Sequence, residues 1–244
     1  TWDAGKITKE AACETKGVKT YTCETCKKTR TEEIPARGHK FGAWVTTSQA
    51  DVISPAKQTR TCTVCGKKEQ RNYGSRLRET MTVNISSIPL KTRQKTSVLK
   101  VTGLAKGDSI TSWKSSNTKV AKVAGRANGT CTITAGNKTG KAKITITLKS
   151  GLQKTVTVSV QKSAVKTKKI SGVAKTLRLN RKQKTTLKPV LSPLTSTEKI
   201  TYKSSNSKVA SVNSKGQITA KKKGTTVITV KSGTKTVKCK VTVK

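Results

Sequence analysis

Acidic residues are scarce in this 244-residue sequence: 11 Asp and Glu stand against 52 Lys and Arg, with one His, one Phe and one Met. Aromatic residues make up 3% of the chain and apolar residues 32%. So few bulky side chains exclude an aromatic-lined cofactor pocket and one large core, and at roughly 100–150 residues per domain two or three small units are expected. No run in the sequence approaches the ~20 consecutive apolar residues of a membrane-spanning helix, so no membrane insertion is expected. With no initiator Met, signal peptide or anchoring tail, the sequence reads as a monomeric segment of a longer protein.

The few acids are unevenly placed. Residues 1–80 hold 16 basic and 9 acidic side chains, residues 81–165 hold 15 basic and only Asp108, and residues 166–244 hold 21 basic and only Glu198. Paired-carboxylate chemistry therefore lacks material beyond residue 80. With His39 the sole histidine, a Ser-His-Asp or Cys-His site is excluded from the last two thirds. The expectation is a chain that is not an enzyme.

What is present is an internal repeat. ITSWKSSNTKVAKV at 110–123 matches ITYKSSNSKVASV at 200–212, LKTRQKTSVLKV at 90–101 matches LNRKQKTTLKPV at 179–190, and GKAKITITLKSG at 140–151 matches GTTVITVKSG at 224–233. Two copies of one module, at 81–161 and 174–244, are expected, joined by a connector at 162–173. Ile144, Ile146 and Leu148, Val156, Val158 and Val160, and Val237, Cys239, Val241 and Val243 each recur with period two. That alternation, rich in β-branched residues and broken by short polar turns, predicts an all-β fold of two tandem antiparallel sandwiches of about seven strands each. Cys131 and Cys239 share the inward parity and are expected in the cores.

These residues carry a family resemblance. WKSSNTKVAKV, ITAGNKTGKAKITI and TVTVSV in the first copy, and YKSSNSKVASVNSKGQITAKKKGTTVITV in the second, resemble the bacterial immunoglobulin-like domain of group 2, the second copy more closely. The first copy departs from it by an insertion around Ala124–Cys131. The resemblance implies Ig-like sandwiches used as stalk, spacer or adhesion modules of extracellular surface or secreted proteins, without catalytic residues.

Residues 1–72 carry a second repeat, TYTCETCKKTRTE at 20–32 against TRTCTVCGKKEQR at 59–71, preceded by Trp2 and Trp44. Each reads as a β-hairpin whose turn holds C-x-x-C, a spacing that lets two thiolates grip one metal ion. Three readings stand open. Cys13, Cys23, Cys26 and His39 make a Cys₃His structural zinc site within one repeat; Cys23, Cys26, Cys62 and Cys65 make a Cys₄ ribbon; or the cysteines form disulfides or remain thiols without metal. In each the role is structural, because so small a segment buries too little to fold alone. The segment also resembles short Cys-rich repeats with a Gly-His-x-x-x-x-Trp junction found in Gram-positive surface proteins.

The lysines alternate with Thr and Ser on outward strand positions, and Lys221, Lys222 and Lys223 form the densest cluster. A repelling, aggregation-resistant surface is one reading; the other is attachment to an anionic cell-wall polymer or an acidic host glycan through counterion release. Nucleic acid is not expected: arginine and stacking aromatics are few, and no recognition helix can be read. An adhesin with a defined sugar site is the alternative, resting on Trp113 and Tyr202 at matching positions, although both are expected to pack in the sandwiches. An isopeptide cross-link would need Asp108 or Glu198, which do not occupy matching positions.

Overall fold

Every regular element in the computed structural model, which describes residues 1–244, is a β-strand. The chain divides into two units, Thr1–Arg78 with Ala105–Gly107, and Glu79–Leu104 with Asp108–Lys244.

The larger unit holds both sandwiches, each with its own buried cluster: Ile88, Leu90, Ile133, Ile144, Ile146, Val156 and Val158 in the first, Ile218, Ile228, Val230, Cys239 and Val241 in the second. At about 1.5–3 kcal/mol for each fully buried aliphatic side chain, these rows of period-two residues are the main stabilising term. In the first sandwich a four-stranded sheet runs in the order Ile110–Ser115, Gly140–Leu148, Gln153–Gln161, Ser87–Lys91, and Ala121–Gly125, Cys131–Ala135 and Lys95–Thr96 form a three-stranded one. The second repeats the plan with Ile200–Ser204, Gly224–Ser232, Lys235–Val243 and Thr176–Leu179, and with Ala210–Val212, Gln217–Ala220 and Lys184–Thr186. A two-stranded pair completes each copy, Thr82–Val83 with Val101–Thr102 and Lys169–Ser171 with Val190–Ser192.

Two details differ from the sequence reading. Each copy has nine strands rather than about seven, because the extra pair is too short to show a period. One edge pairing per copy is parallel, Ser87–Lys91 on Gln153–Gln161 and Thr176–Leu179 on Lys235–Val243, and side-chain alternation is blind to strand direction. The connector at 162–173, whose stiffness the sequence leaves open, is anchored: Val165 and Thr167 are buried, the Thr167 N–H donates to Glu198 Oε2 at 2.6 Å, and Lys169–Ser171 is already a strand.

Trp113 and Tyr202 are half-buried and pack against the two cores. Each ring lies on a glycine: a Cβ on Gly125 would overlap the Trp113 ring, and one on Gly216 would stand 2.9 Å from the Tyr202 ring. Cys131 and Cys239 are buried as expected. Asp108 accepts the Ser150 hydroxyl at 2.7 Å and the N–H groups of Ser109 and Ser150, so both acids of this region beyond residue 80 hold turns and links. Gly125→Ala is expected to destabilise the first sandwich by about 1–3 kcal/mol, the range for overpacking. Urea unfolding followed by Trp113 fluorescence checks this, and an unchanged midpoint would contradict the packing described.

The smaller unit is built differently. Two three-stranded antiparallel meanders follow one another, Lys6–Lys9, Gly17–Thr22, Thr29–Ile34 and then Val45–Ser48, Ala56–Thr61, Lys68–Tyr73. They share register down to a bulge in the first strand, between Ile7 and Lys9 and between Thr46 and Ser48. The structural counterpart of Trp2 is Phe41 rather than Trp44, because Trp2 bridges Cys23 as Phe41 bridges Cys62. None of the twelve largest fully buried side chains lies in this unit; its buried apolar residues are Ala11, Cys13, Val52, Ala56 and Cys62. Arg30 stacks on Trp2 and Tyr21, Arg60 on Phe41 and Trp44, and Arg71 on Trp44, each worth about 0.5–1 kcal/mol where exposed.

Candidate metal centre

Both C-x-x-C pairs sit on hairpin turns of one construction. The Cys23 N–H donates to the Lys28 carbonyl at 2.8 Å and the Cys62 N–H to Lys67 at 2.8 Å; the Lys27 and Gly66 N–H groups return to the Cys23 and Cys62 carbonyls. Lys27 and Gly66 both take a left-handed φ, 58° and 75°. The turn aims backbone N–H groups at the first sulfur of each pair. Those of Cys65 and Val64 hold the Cys62 thiol down to about 6 against the opposing effect of burial, with a further contribution from His39. Those of Cys26 and Thr25 likewise lower Cys23. Such a turn favours thiolate, the form that binds metal.

The loop between the first two strands brings Cys13 into the interior of the smaller unit. The N–H groups of Arg37 and Gly38 donate to the carbonyls of Ala12 and Cys13, each at 3.0 Å, so the stretch leading to His39 runs beside Cys13. The chain then crosses to the second repeat: the Thr63 N–H donates to the Lys40 carbonyl at 2.9 Å, Phe41 bridges Cys62, and the Gly42 N–H donates to the Thr61 carbonyl at 3.0 Å. The result is a cluster of Cys13, His39, Cys62 and Cys65 whose ligand atoms all lie within 4.8 Å of one another. Cys13 Sγ stands 3.9 Å from Cys62 Sγ, and Cys65 Sγ 3.3 Å from His39 Nδ1.

These residues fit a metal ion. Zinc takes thiolates at about 2.3 Å in a tetrahedron, whose sulfur–sulfur edge is about 3.8 Å; a disulfide needs about 2.05 Å, and all seven cysteines are free thiols. With Nδ1 facing the sulfurs, His39 Nε2 donates to Glu14 Oε1 at 2.9 Å, and Glu14 is also paired with Lys67. A carboxylate on the far nitrogen is the usual orienting partner of a ligating imidazole. The Glu14 hydrogen bond is the main cause that raises His39 to about 9, and burial, with hydrogen bonds to Cys65 and Cys62, pushes the Cys13 thiol to about 11. A metal would therefore compete with protons for these groups.

The cluster divides each expected ligand set. Cys13 and His39 meet, but their companions are Cys62 and Cys65 of the following repeat, while Cys23 and Cys26 stand apart. The missed signal is the order of the ligands: Cys13 and His39 flank the first hairpin in sequence, yet the loop that carries them faces the second. Lys221, Lys222 and Lys223 are exposed on the turn between Gln217–Ala220 and Gly224–Ser232. All five ion pairs of the protein lie within residues 10–69, so the sandwich lysines are uncompensated.

Comparison with known proteins places the larger unit. Residues 80–159 match the bacterial Ig-like domain (group 2), and residues 198–234 match the intimin immunoglobulin-like domain; the group 2 match thus falls on the first copy. A search of curated protein sequences gives no match. Among solved structures, this chain is similar to domains 1–6 of the surface layer protein SbsC, at 17% identity over 93% of this chain and 32% of that one, with a TM-score of 0.30. Domains 4–9 of SbsC give 15% identity over 100% and 47%, with a TM-score of 0.35. Invasin, a bacterial integrin-binding protein, gives 14% over 94% and 65%, with a TM-score of 0.24. The chain spans about a third of the first of these, and likenesses at such scores carry no weight beside the two family matches. The family matches thus fall on the two sandwiches, the bacterial Ig-like domain (group 2) over residues 80–159 and the intimin immunoglobulin-like domain over 198–234, and leave the Cys-rich N-terminal unit outside both.

Proposed function

We propose that this chain is a non-catalytic spacer segment of an extracellular bacterial surface or secreted protein, holding a structural zinc ion in its N-terminal unit and attaching to anionic polymers through its sandwiches. The observation that carries the attachment is uncompensated charge. Residues 81–244 hold 36 basic side chains and two acids, and both acids are engaged by hydroxyl or backbone N–H groups. A phosphate- or carboxylate-bearing polymer laid on such strands releases its condensed counterions, which favours binding at low salt and weakens it as salt rises. A wall polymer or an acidic host glycan supplies that chemistry. Trp113 and Tyr202 pack on glycines and cores, so neither favours the alternative of a sugar-stacking adhesin.

Binding to purified anionic wall polymer and to acidic glycans across a salt series tests the attachment. Strong binding at low salt is expected, and replacing Lys221, Lys222 and Lys223 by Gln should flatten the salt slope by roughly one per lysine in contact. Negligible binding at low salt would leave a passive spacer.

In the N-terminal unit, zinc would be held by Cys13, His39, Cys62 and Cys65, supplying the cross-link that its small core does not. Gentle purification should yield about one zinc per chain, and less than about 0.2 would remove the zinc reading, given the tight affinity of thiolate sites. Cys62→Ser should abolish uptake. Glu14→Gln should weaken affinity about 10–100-fold, the usual effect of removing an outer hydrogen-bond partner. Competition with a chromophoric chelator measures both, and equal affinity in Glu14→Gln would contradict an orienting role.

A further inference from the structure

The Cys23–Cys26 hairpin reproduces the Cys62–Cys65 hairpin at an offset of 39 residues, in turn hydrogen bonds, left-handed residue and backbone N–H groups aimed at the first sulfur. Even its strap is the same. Thr1–Asp3 lies on the first hairpin as Lys40–Gly42 lies on the second: the Glu24 N–H donates to the Thr1 carbonyl as Thr63 does to Lys40, and Asp3 to Thr22 as Gly42 does to Thr61. What differs is that the second hairpin meets Cys13 and His39 of the repeat before it, whereas Cys26 is exposed and Cys23 joins no ligand cluster.

The opposite end of the series is closed. Val52, buried, occupies the position of Cys13. Its N–H donates to the Lys106 carbonyl at 3.1 Å, and Arg78 stands where the offset would place a histidine. The ligands thus run in one direction: the second repeat offers its C-x-x-C hairpin to the repeat before it, and the first offers its Cys–His loop to the repeat after it.

We infer that Cys23 and Cys26 are the receiving half of a second metal site, completed by the loop of another repeat of this type that presents a cysteine and a histidine 26 positions apart at the Thr1 strap. Metal ions then link successive repeats into a row, each ion bound by two thiolates of one repeat and a thiolate and an imidazole of the other. This inference rests on the metal reading of the Cys13 cluster and extends it to a rule of assembly.

Duplication of residues 1–39 directly ahead of the intact chain tests it. The duplicate's own Cys13 and His39 then stand one offset before the original Cys23 and Cys26. Metal content should rise from one to two per chain, with the sulfur-to-metal charge-transfer absorption of Cd²⁺ or Co²⁺ rising in step. Cys13→Ser with His39→Ala in the duplicate alone should return the content to one. Alkylation read by mass spectrometry should find half of the peptide bearing Cys23 and Cys26 protected in the duplicated chain, where the original hairpin is filled and the duplicate's is open, and all of it reactive in the unduplicated chain. A duplicated chain that holds one metal, with all of that peptide still reactive, overturns the inference while leaving the Cys13 site standing; a natural chain that binds no metal removes both. A further measurement leaves the natural chain intact: titration with Cd²⁺ should show, after the first ion, a weaker second uptake with the charge-transfer intensity of two thiolates, lost in Cys23→Ser/Cys26→Ser. No second uptake overturns the inference even if the duplicated chain folds poorly.

Discussion

The N-terminal unit depends on one constraint: it must be held together without a core. Its two meanders bury only small or single apolar side chains, and the faces of their sheets carry arginines stacked on aromatic rings. Cation–π contacts at the surface are individually weak, and small modules of this kind ordinarily require a metal or covalent staple. The place where the two repeats bring metal-ligating donors together is the cluster of buried Cys13 and Cys62 with half-buried His39 and exposed Cys65. Its location between repeats, rather than within one, gives a donor group of three sulfurs and an imidazole the position from which it can fix both.

The sandwiches solve the same problem by the opposite means. Long period-two rows of Ile, Leu and Val close two separate cores, and the outward positions are left to lysine, threonine and serine. With so few acids, charge on these strands is answered neither within the protein nor by ion pairs. Such a charged surface disfavours edge pairing with its own kind. Burial and charge are thereby divided along each strand, residue by residue.

Much of this was legible in the sequence, for physical reasons that can be named. Alternation of Ile144, Ile146 and Leu148 and of Val156, Val158 and Val160 reports burial on one face directly, and the repeat reports that the module occurs twice. The C-x-x-C turns were readable because both ligands of a hairpin lie within four residues. The parallel edge strands and the short extra strand pairs were not, since direction leaves no trace in alternation and strands of two or three residues show no period. The pairing of Cys13 and His39 with the next hairpin was hidden because it depends on the strap formed by Arg37–Gly42, whose backbone bonds leave no pattern in residue type. The anchoring of the connector left no pattern, because Val165, Thr167 and Glu198 are single residues.

X-ray absorption at the zinc edge on the purified chain tests the central claim most directly. The account predicts a shell of three sulfurs at about 2.3 Å and one imidazole nitrogen. A shell of four sulfurs would place the ion on the two hairpins instead, and a shell of oxygens would show that the cluster holds no resident ion.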